Sequence, residues 1–297
     1  MRIELQHRAL GTPILVTVVL GAEEDEERAR AAVALAFAEA DRIEQTYSRF
    51  LEGNELSRLN ARVGQWTAVS EEFYKLIEFG ERVKQKTGGA FDLTVKTILE
   101  GWGYDANYSL KESVPGHTGR IDLLEGKVRL RAAMELGGLG KGYAIDRMDS
   151  FLQDFENVCI NAGGDLRVRG DDSELRRGWR IVFEHPTDIT KGIGFVDASD
   201  LALACSSPSR RSWRDKHHLV DARNGQPASD MLAVYTQSSA ALLADAYSTA
   251  LFVMGYEKAK ALLGADGSLC GLVEAMLIGP DGKIFLSAGF QGELFEK

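Results

Sequence analysis

Residues 135–148, ELGGLGKGYAIDRM, place four glycines within six positions and set Lys141 among them. Beyond the glycines the spacing predicts an amphipathic helix with one apolar stripe. The stripe consists of Ile145, Met148, Leu152 and Phe155. A glycine-rich entry to a helix leaves backbone N–H groups unpaired at the end where the helix dipole attracts negative charge. The stretch is typical of a phosphate-binding turn, and a plain strand-to-helix turn is the alternative.

The glycine-rich stretch differs from two common nucleotide-binding motifs. A P-loop requires Ser or Thr after its Gly-Lys pair, whereas Gly142 follows Lys141 here. A dinucleotide fingerprint requires a buried apolar strand before the glycines, and residues 127–135, KVRLRAAME, are charged and alternating. If the turn binds a phosphate, it does so outside these two motifs.

A second informative stretch, residues 238–255, reads SSAALLADAYSTALFVMG and predicts a helix that is apolar on nearly all sides and therefore buried. Asp245 and Thr249 are four residues apart, so their oxygens lie one turn apart on the same face. Mg²⁺ is commonly held by one or two protein carboxylates together with phosphate oxygens. The pattern fits a magnesium site. A salt bridge from Asp245 to a Lys or Arg, with the Thr249 hydroxyl bonded to its own helix, is the alternative.

Two further stretches carry polar side chains beside turns. Residues 205–229, CSSPSRRSWRDKHHLVDARNGQPAS, combine clustered arginines with a His-His pair. A histidine near a phosphate site can act as general acid or base, because its pKa is close to neutral, whereas a surface histidine is the alternative. Residues 160–170, INAGGDLRVRG, predict either a hairpin or a place where the backbone lies against a ligand ring.

Composition limits the class of protein. The chain has 297 residues, of which 44% are hydrophobic and 27% charged, so it can bury a large core. A formal net charge of -9 argues against binding to nucleic acid or an anionic membrane. Cys159, Cys205 and Cys270 are far apart and are interpreted as buried apolar residues rather than as a disulfide or zinc set.

Targeting signals are not evident in the sequence. Residues 1–21 lack the pattern of a signal peptide or lipoprotein cysteine, and no stretch approaches the ~20 apolar residues of a membrane helix. We expect a cytoplasmic protein, or an exported one if a leader preceded the numbered chain.

Hydrophobic periodicity and turn signals predict a mixture of elements without regular alternation, which favours an α+β fold over a doubly wound parallel sheet. Helices are predicted at 24–45, 70–86 and, as a pair, within 238–263. Strands are predicted at 12–20, 127–130, 157–160, 166–169, 179–183, 201–205 and 232–236, with a closing hairpin at 275–289.

Taken together, these stretches resemble the ApbE-type FAD:protein FMN transferases, over nearly the whole chain and in the family's order. The segments that carry the resemblance are LGTPILV (10–16), YSRFLEGNELSRLN (47–60), GGAFDLTV (88–95), ELGGLGKGYAID (135–146), INAGGDLRVRG (160–170), HHLVDARNGQPA (217–228) and ADAYSTALFVMG (244–255). The resemblance implies a single domain over residues 1–297, or two intertwined subdomains. It also implies mixed, largely antiparallel sheets flanked by helices.

The resemblance implies a chemistry as well. FAD binds with Mg²⁺, its pyrophosphate is cleaved, FMN passes to a Thr or Ser hydroxyl of an acceptor flavoprotein, and AMP leaves. Matched by position, the metal ligands are Asp245 and Thr249, with backbone carbonyls of Gly138 and Ser248. The residues matched to FAD contacts are Leu10, Phe50, Ala90, Phe91, Asp92, Glu135, Lys141 and Leu219. His218 is the candidate catalytic base, and Asp221 is expected to hold the following turn.

Several residues depart from the family's pattern. Leu10 stands where Met is usual, Phe50 where Tyr is frequent, and Glu135 where Asp is usual. Arg210 and Arg211 replace part of a Ser-Gly stretch, and they are candidates to contact a phosphate or an acidic acceptor loop. A magnesium-dependent FAD pyrophosphatase and a non-catalytic flavin-binding protein remain the alternative functions.

Overall fold

The computed structural model describes residues 1–22, 24–172, 177–264, 269 and 272–296. The helices of these residues are α1 (Glu26–Tyr47), α2 (Glu55–Asn60), α3 (Glu71–Lys86), α4 (Lys96–Gly101), α5 (Gly140–Asp149), α6 (Ala241–Met254) and α7 (Tyr256–Gly264). Short 3₁₀ turns occur at Leu93–Val95 and Pro208–Arg210. Helix α3 begins where the sequence predicts, because the Ser70 hydroxyl accepts a hydrogen bond from the Phe73 N–H and caps the first turn.

The strands are short except in the main sheet and in one long ribbon. They are β1 (Arg2–Ala9), β2 (Thr12–Val19), β3 (Thr67–Ala68), β4 (Ile121–Leu124), β5 (Lys127–Leu130), β6 (Asn157–Ala162), β7 (Asp165–Arg169), β8 (Trp179–His185), β9 (Asp188–Ala198), β10 (Asp200–Ser206), β11 (Ser212–Trp213), β12 (Lys216–His217), β13 (Val220–Asp221), β14 (Gln226–Pro227), β15 (Ala233–Ser238), β16 (Glu274–Ile278), β17 (Ile284–Leu286) and β18 (Glu293–Leu294).

The main sheet has eight strands in the order β1-β2-β6-β7-β10-β15-β16-β17. Two three-stranded sheets, β18-β9-β8 and β3-β5-β4, and two small ribbons complete the set. Every strand pair of the described residues is antiparallel. The α+β class predicted from the sequence is confirmed. One domain over residues 1–297 stays a prediction.

Helices α5 and α6 pack against each other at very short range. A Cβ atom on Gly142 would lie 2.2 Å from the carbonyl oxygen of Ala241, so only glycine permits this approach. Helix α6 begins without a side-chain cap of its own. Its first N–H groups, those of Ala241 and Leu242, donate instead to the Asp146 carboxylate on α5, at 2.7 and 2.9 Å. The start of α6 is therefore held by α5.

Two predictions about elements need correction. Helix α5 ends at Asp149, before the Leu152 and Phe155 that the predicted stripe includes. The chain continues in tighter turns, with the Leu152 N–H donating to the Asp149 carbonyl, and both apolar side chains still pack with Ile145 and Met148. Strand β1 was not predicted. Its sequence, RIELQHRA, alternates apolar and polar residues only loosely, and pairing with the strongly apolar β2 determines its conformation.

The cysteines are less deeply buried than expected. Cys159 and Cys205 are only partly buried, and burial raises the pKa of each thiol to about 12. Cys270 lies outside the described residues. None of the helices in the described ranges is long and apolar enough to cross a membrane.

Candidate active site

A cavity of about 1200 Å³ opens between the β1–β2 turn, the entry to α5, the β6–β7 turn and α6. This volume accommodates a ligand larger than most drug-sized molecules. The cavity brings together most residues that the sequence analysis selected: Leu10, Phe50, Ala90, Phe91, Asp92, Glu135, Gly138, Lys141, His218, Leu219, Asp245 and Thr249 all line it. Ser248 is the exception, because it is buried behind this wall.

Lys141, the second residue of α5, lies between two carboxylates. Its ammonium pairs with Asp165 Oδ2 and lies 3.6 Å from Asp245 Oδ1. Burial lowers the pKa of Lys141, and the charge of Asp245 opposes this shift. Asp165 lies in the Gly-Gly-Asp turn of residues 160–170, and no role was predicted for it from the sequence. The structure brings it to Lys141 because the β6–β7 hairpin turns back directly over the start of α5.

Some backbone N–H groups of the glycine-rich entry to α5 donate hydrogen bonds within the protein. The Gly140 N–H donates to the Leu136 carbonyl at 2.7 Å, and the Gly142 N–H donates to Asp245 Oδ2 at 2.9 Å. These two N–H groups are therefore not free for a phosphate, contrary to the simplest interpretation of the motif. The glycines also serve close packing: a Cβ on Gly138 would lie 3.0 Å from the Phe91 ring and 3.3 Å from the Thr249 methyl group.

Oxygen atoms that could bind a metal lie where α6 faces Gly138. Asp245 is buried, and the Thr249 hydroxyl lies on the same helix face, 3.4 Å from Ser206 Oγ. The Ser248 hydroxyl bonds Ser206 Oγ at 2.8 Å and donates to the Asp245 carbonyl at 2.9 Å, and a metal contact through the Ser248 backbone carbonyl stays a prediction. Half of the salt-bridge alternative is therefore present, because Lys141 forms an ion pair with Asp245. The other half is not, because Thr249 lines the cavity.

The donor set fits Mg²⁺ better than a softer metal. One carboxylate and one hydroxyl offer only oxygen, and Mg²⁺ prefers oxygen ligands and shares its shell with substrate phosphates. In the described part of the chain, no group of three or more His, Cys, Asp or Glu side chains is arranged to hold a metal. The residues that would hold Mg²⁺ here are Asp245 and Thr249, which both line the cavity.

His218 also lines the cavity. Its Nδ1 is 3.4 Å from the Arg211 carbonyl oxygen. Burial lowers its pKa to about 3, and the positive charge of Arg211 adds to the shift, so the imidazole is neutral at pH 7. In the tautomer that donates Nδ1–H to this carbonyl, Nε2 carries the lone pair and can accept a proton.

Two nearby aspartates are engaged in structural contacts. Asp221 accepts a hydrogen bond from the Arg223 N–H at 3.0 Å and pairs with the Arg223 guanidinium, which is the expected role of holding a turn. Asp92 lines the cavity, but its carboxylate caps Thr94 at 2.8 Å and pairs with Lys84 at 2.7 Å. Asp92 therefore shapes the wall while its oxygens are engaged with the protein.

An aromatic wall, made of Phe50, Tyr104, Tyr108 and Trp213, was largely missed by the sequence analysis. The Phe50 and Tyr108 rings stack with centroids 5.1 Å apart, and Tyr104 stacks on Trp213 at 5.2 Å. Tyr104 and Tyr108 lie in an irregular segment with no periodicity, so only their aromatic type could have indicated them. These rings give one side of the cavity flat apolar surfaces.

Arg49 and Glu135 lie beside the aromatic wall. The Arg49 Nε is 3.8 Å from Glu135 Oε2, and the guanidinium carbon lies 4.3 Å from the Phe50 centroid and 4.6 Å from that of Tyr104. Burial raises the pKa of Glu135, and Arg49 opposes the shift. Arg49 was missed because a single arginine between Ser48 and Phe50 carries no pattern of its own.

The two arginines that depart from the family pattern differ in their surroundings. Arg210 pairs with Glu184 at the cavity rim, so its charge is partly neutralised. Arg211 also lines the cavity, next to His218.

Comparison with known proteins gives a consistent result. The ApbE family model matches residues 10–272. The chain is 25% identical over 256 residues to the FAD:protein FMN transferase of Escherichia coli K12, covering 76% of this chain and 72% of the relative. It is 26% identical over 290 residues to the Klebsiella pneumoniae protein of the same name, covering 89% and 81%.

Solved structures agree with these relatives. The ApbE protein of Thermotoga maritima superposes with a TM-score of 0.86 at 28% identity, covering 97% of each chain. The flavin transferase ApbE of Vibrio cholerae superposes with a TM-score of 0.81 at 21% identity, covering 98% of each chain, a level of identity that supports the fold alone.

Proposed function

This chain belongs to the ApbE family, and on that basis we propose that it transfers FMN from FAD to a Thr or Ser hydroxyl of an acceptor flavoprotein, releasing AMP. The observation that carries the proposal is the meeting of α5 and α6 at one end of a cavity large enough for FAD. There the side chains of Lys141, Asp245 and Thr249 line a single wall.

The proposed reaction is a phosphoryl transfer. A bond forms between the acceptor hydroxyl oxygen and the phosphorus of the FMN half, the bond from that phosphorus to the bridging oxygen breaks, and AMP leaves with that oxygen. Such reactions depend on positioning and on stabilising the charge of the phosphate oxygens. Mg²⁺, when bound at Asp245 and Thr249, supplies Lewis-acid stabilisation of these oxygens.

Residues of this chain account for the remaining requirements. Lys141 lines the cavity beside Asp245, where its ammonium would offer a positive charge to the pyrophosphate. His218 is neutral, as a general base must be, and the negative charge of the bound pyrophosphate would raise its low pKa toward the range in which Nε2 takes the proton of the acceptor hydroxyl. The aromatic wall provides flat surfaces for a ring system of FAD.

The proposal is tested by incubating the protein with FAD and Mg²⁺, with and without a flavoprotein fragment that bears an acceptor Thr. Intact-mass analysis and nucleotide chromatography follow the products. The informative variant is Asp245→Asn, because the amide oxygen can still accept from the Gly142 N–H while the charge is lost. We expect it to lower the rate at least about 100-fold, a size typical of losing a group that stabilises the transition state.

Asp281→Asn serves as the matched control, because Asp281 lies in an exposed turn and pairs only locally with Lys283. It should react as the unsubstituted protein does. AMP and free FMN without mass gain on the fragment would indicate the pyrophosphatase instead. Bound but intact FAD would indicate a binding protein.

A further inference from the structure

One guanidinium nitrogen in the cavity wall has no acceptor. The Arg49 side chain is only 4% exposed. Its Nη2 donates to the Tyr104 carbonyl at 2.9 Å, and its Nε faces Glu135. Within the described residues, Nη1 is buried and has no hydrogen-bond partner. Buried polar groups are nearly always paired, because an unmade hydrogen bond in a dry site is unfavourable.

The position of this guanidinium is fixed on all sides. The Phe50 and Tyr104 rings both lie within stacking distance of it, and two of its nitrogens are directed to Tyr104 and Glu135. Arginine stacks well on aromatic faces and keeps its planar donor edge while doing so. Nη1 is therefore a preorganised donor at the edge of the aromatic wall rather than a mobile surface charge.

Resting on the proposed function, we infer that Arg49 Nη1 donates a hydrogen bond to the carbonyl edge of the isoalloxazine ring of FAD. A guanidinium offers donors only. The pyrimidine side of isoalloxazine presents two carbonyl oxygens, whereas adenine has no carbonyl and places its amino donor between the ring-nitrogen acceptors N1 and N7, which makes it the poorer partner for a donor-only group. Arg49 is thus a specificity-determining residue for the flavin half of the substrate.

The test compares the binding of riboflavin, FAD and ADP to the unsubstituted protein and to Arg49→Met and Arg49→Lys. Flavin binding is followed by fluorescence quenching and ADP binding by calorimetry. We expect both variants to bind riboflavin and FAD at least about tenfold more weakly, since a hydrogen bond to a charged group is lost. ADP binding should change less than about twofold, because ADP lacks the flavin ring.

A matched control is Arg129→Met. Arg129 also stacks on an aromatic ring, that of Trp66 at 4.6 Å, but neither residue lines the cavity. It should bind all three ligands as the unsubstituted protein does. Melting temperatures accompany each measurement.

The other outcomes overturn the inference in separate ways. Unchanged riboflavin binding in both Arg49 variants means that Nη1 does not contact the flavin. Equal weakening for all three ligands with a lower melting temperature means that Arg49 acts through the fold. If the Arg49 variants bind FAD and ADP more weakly but riboflavin unchanged, Arg49 contacts the phosphates or the adenine and not the flavin. If the unsubstituted protein binds neither riboflavin nor FAD, the proposed function fails too. If the unsubstituted protein releases AMP from FAD and the Arg49 variants bind riboflavin unchanged, only the role of Arg49 is rejected.

Discussion

Four charged side chains lie at the end of the cavity where α5 meets α6, called here the phosphate end: Lys141, Arg211, Asp165 and Asp245. The Lys141 ammonium faces the carboxylates of Asp165 and Asp245, so one positive charge meets two negative ones. The two carboxylates offset the positive charge that these side chains offer to a pyrophosphate. A divalent cation at Asp245 would make the local charge positive, which links binding of the substrate to binding of the metal.

His218 leads to a prediction about stability and pH. Its pKa is about 3 in the folded protein and near 6.5 when unfolded, so the unfolded chain binds a proton first as the pH falls. The contribution of neutral His218 is therefore complete above pH 6.5 and is lost as the pH falls toward 3. Between pH 6.5 and 5 the loss amounts to at most about 2 kcal/mol at 1.36 kcal/mol per pH unit.

Urea unfolding at pH 7.5 and pH 5 measures this effect. The unsubstituted protein should lose more free energy of unfolding between these pH values than His218→Gln loses. His117→Gln, which changes an exposed loop residue, should keep the full pH dependence. Equal losses in all three proteins would contradict the buried, neutral state of His218.

At the scale of elements, the pairing of α5 with α6 is the feature that assembles the site. Gly142 permits the approach, Asp146 caps α6, and Asp245 accepts from the start of α5. These contacts join parts of the chain that are about 100 residues apart. The glycine-rich motif of α5 and the Asp245–Thr249 motif of α6 therefore form one site only when the two helices pack together.

The prediction at this scale concerns two glycines of α5. Gly142→Ala should lower the free energy of unfolding by about 1–3 kcal/mol, because its Cβ meets the α6 backbone and forces the helices apart. Gly140→Ala, in the same helix, meets nothing closer than 3.8 Å and should be neutral or raise stability by up to about 1 kcal/mol. Urea midpoints for both variants measure the difference, and similar values for the two would show that the helix contact is loose.

Sequence patterns predicted the longer helices and most strands of the main sheet, because their apolar periodicity is strong, whereas the six-residue helices α2 and α4 were not predicted. The helix at 70–86 and the strand at 127–130 agree with the structure within one residue. The candidate site was predictable where residue type and spacing carry chemistry, as with Asp245 and Thr249. Asp165, Arg49 and Tyr104 could not be selected in this way, because their roles arise only when distant segments meet around the cavity.

For the whole molecule, ligand binding should be visible as thermal stabilisation. A ligand that binds only the folded state raises stability by about 2.7 kcal/mol at 100 times its Kd. Since the two carboxylates beside Lys141 offset its attraction for a pyrophosphate, FAD with Mg²⁺ should raise the melting temperature more than FAD and Mg²⁺ do separately. In Asp245→Asn, adding Mg²⁺ to FAD should give no further increase. A full Mg²⁺ effect in that variant would place the metal elsewhere.

The Asp146 cap has one more consequence. Helix α5 supplies the first hydrogen-bond acceptors of α6, so a tilt of one helix alone would break these bonds. Lys141, Asp245 and Thr249 are therefore held in one arrangement by the paired helices. Their relative positions are fixed when the chain folds. The entropy cost of ordering these side chains is therefore met during folding and not when the dinucleotide binds. The aromatic side of the cavity is held by turns rather than by a helix: the Tyr104 N–H donates to the Leu99 carbonyl at 2.9 Å and the Tyr108 N–H to the Asp105 carbonyl at 3.1 Å.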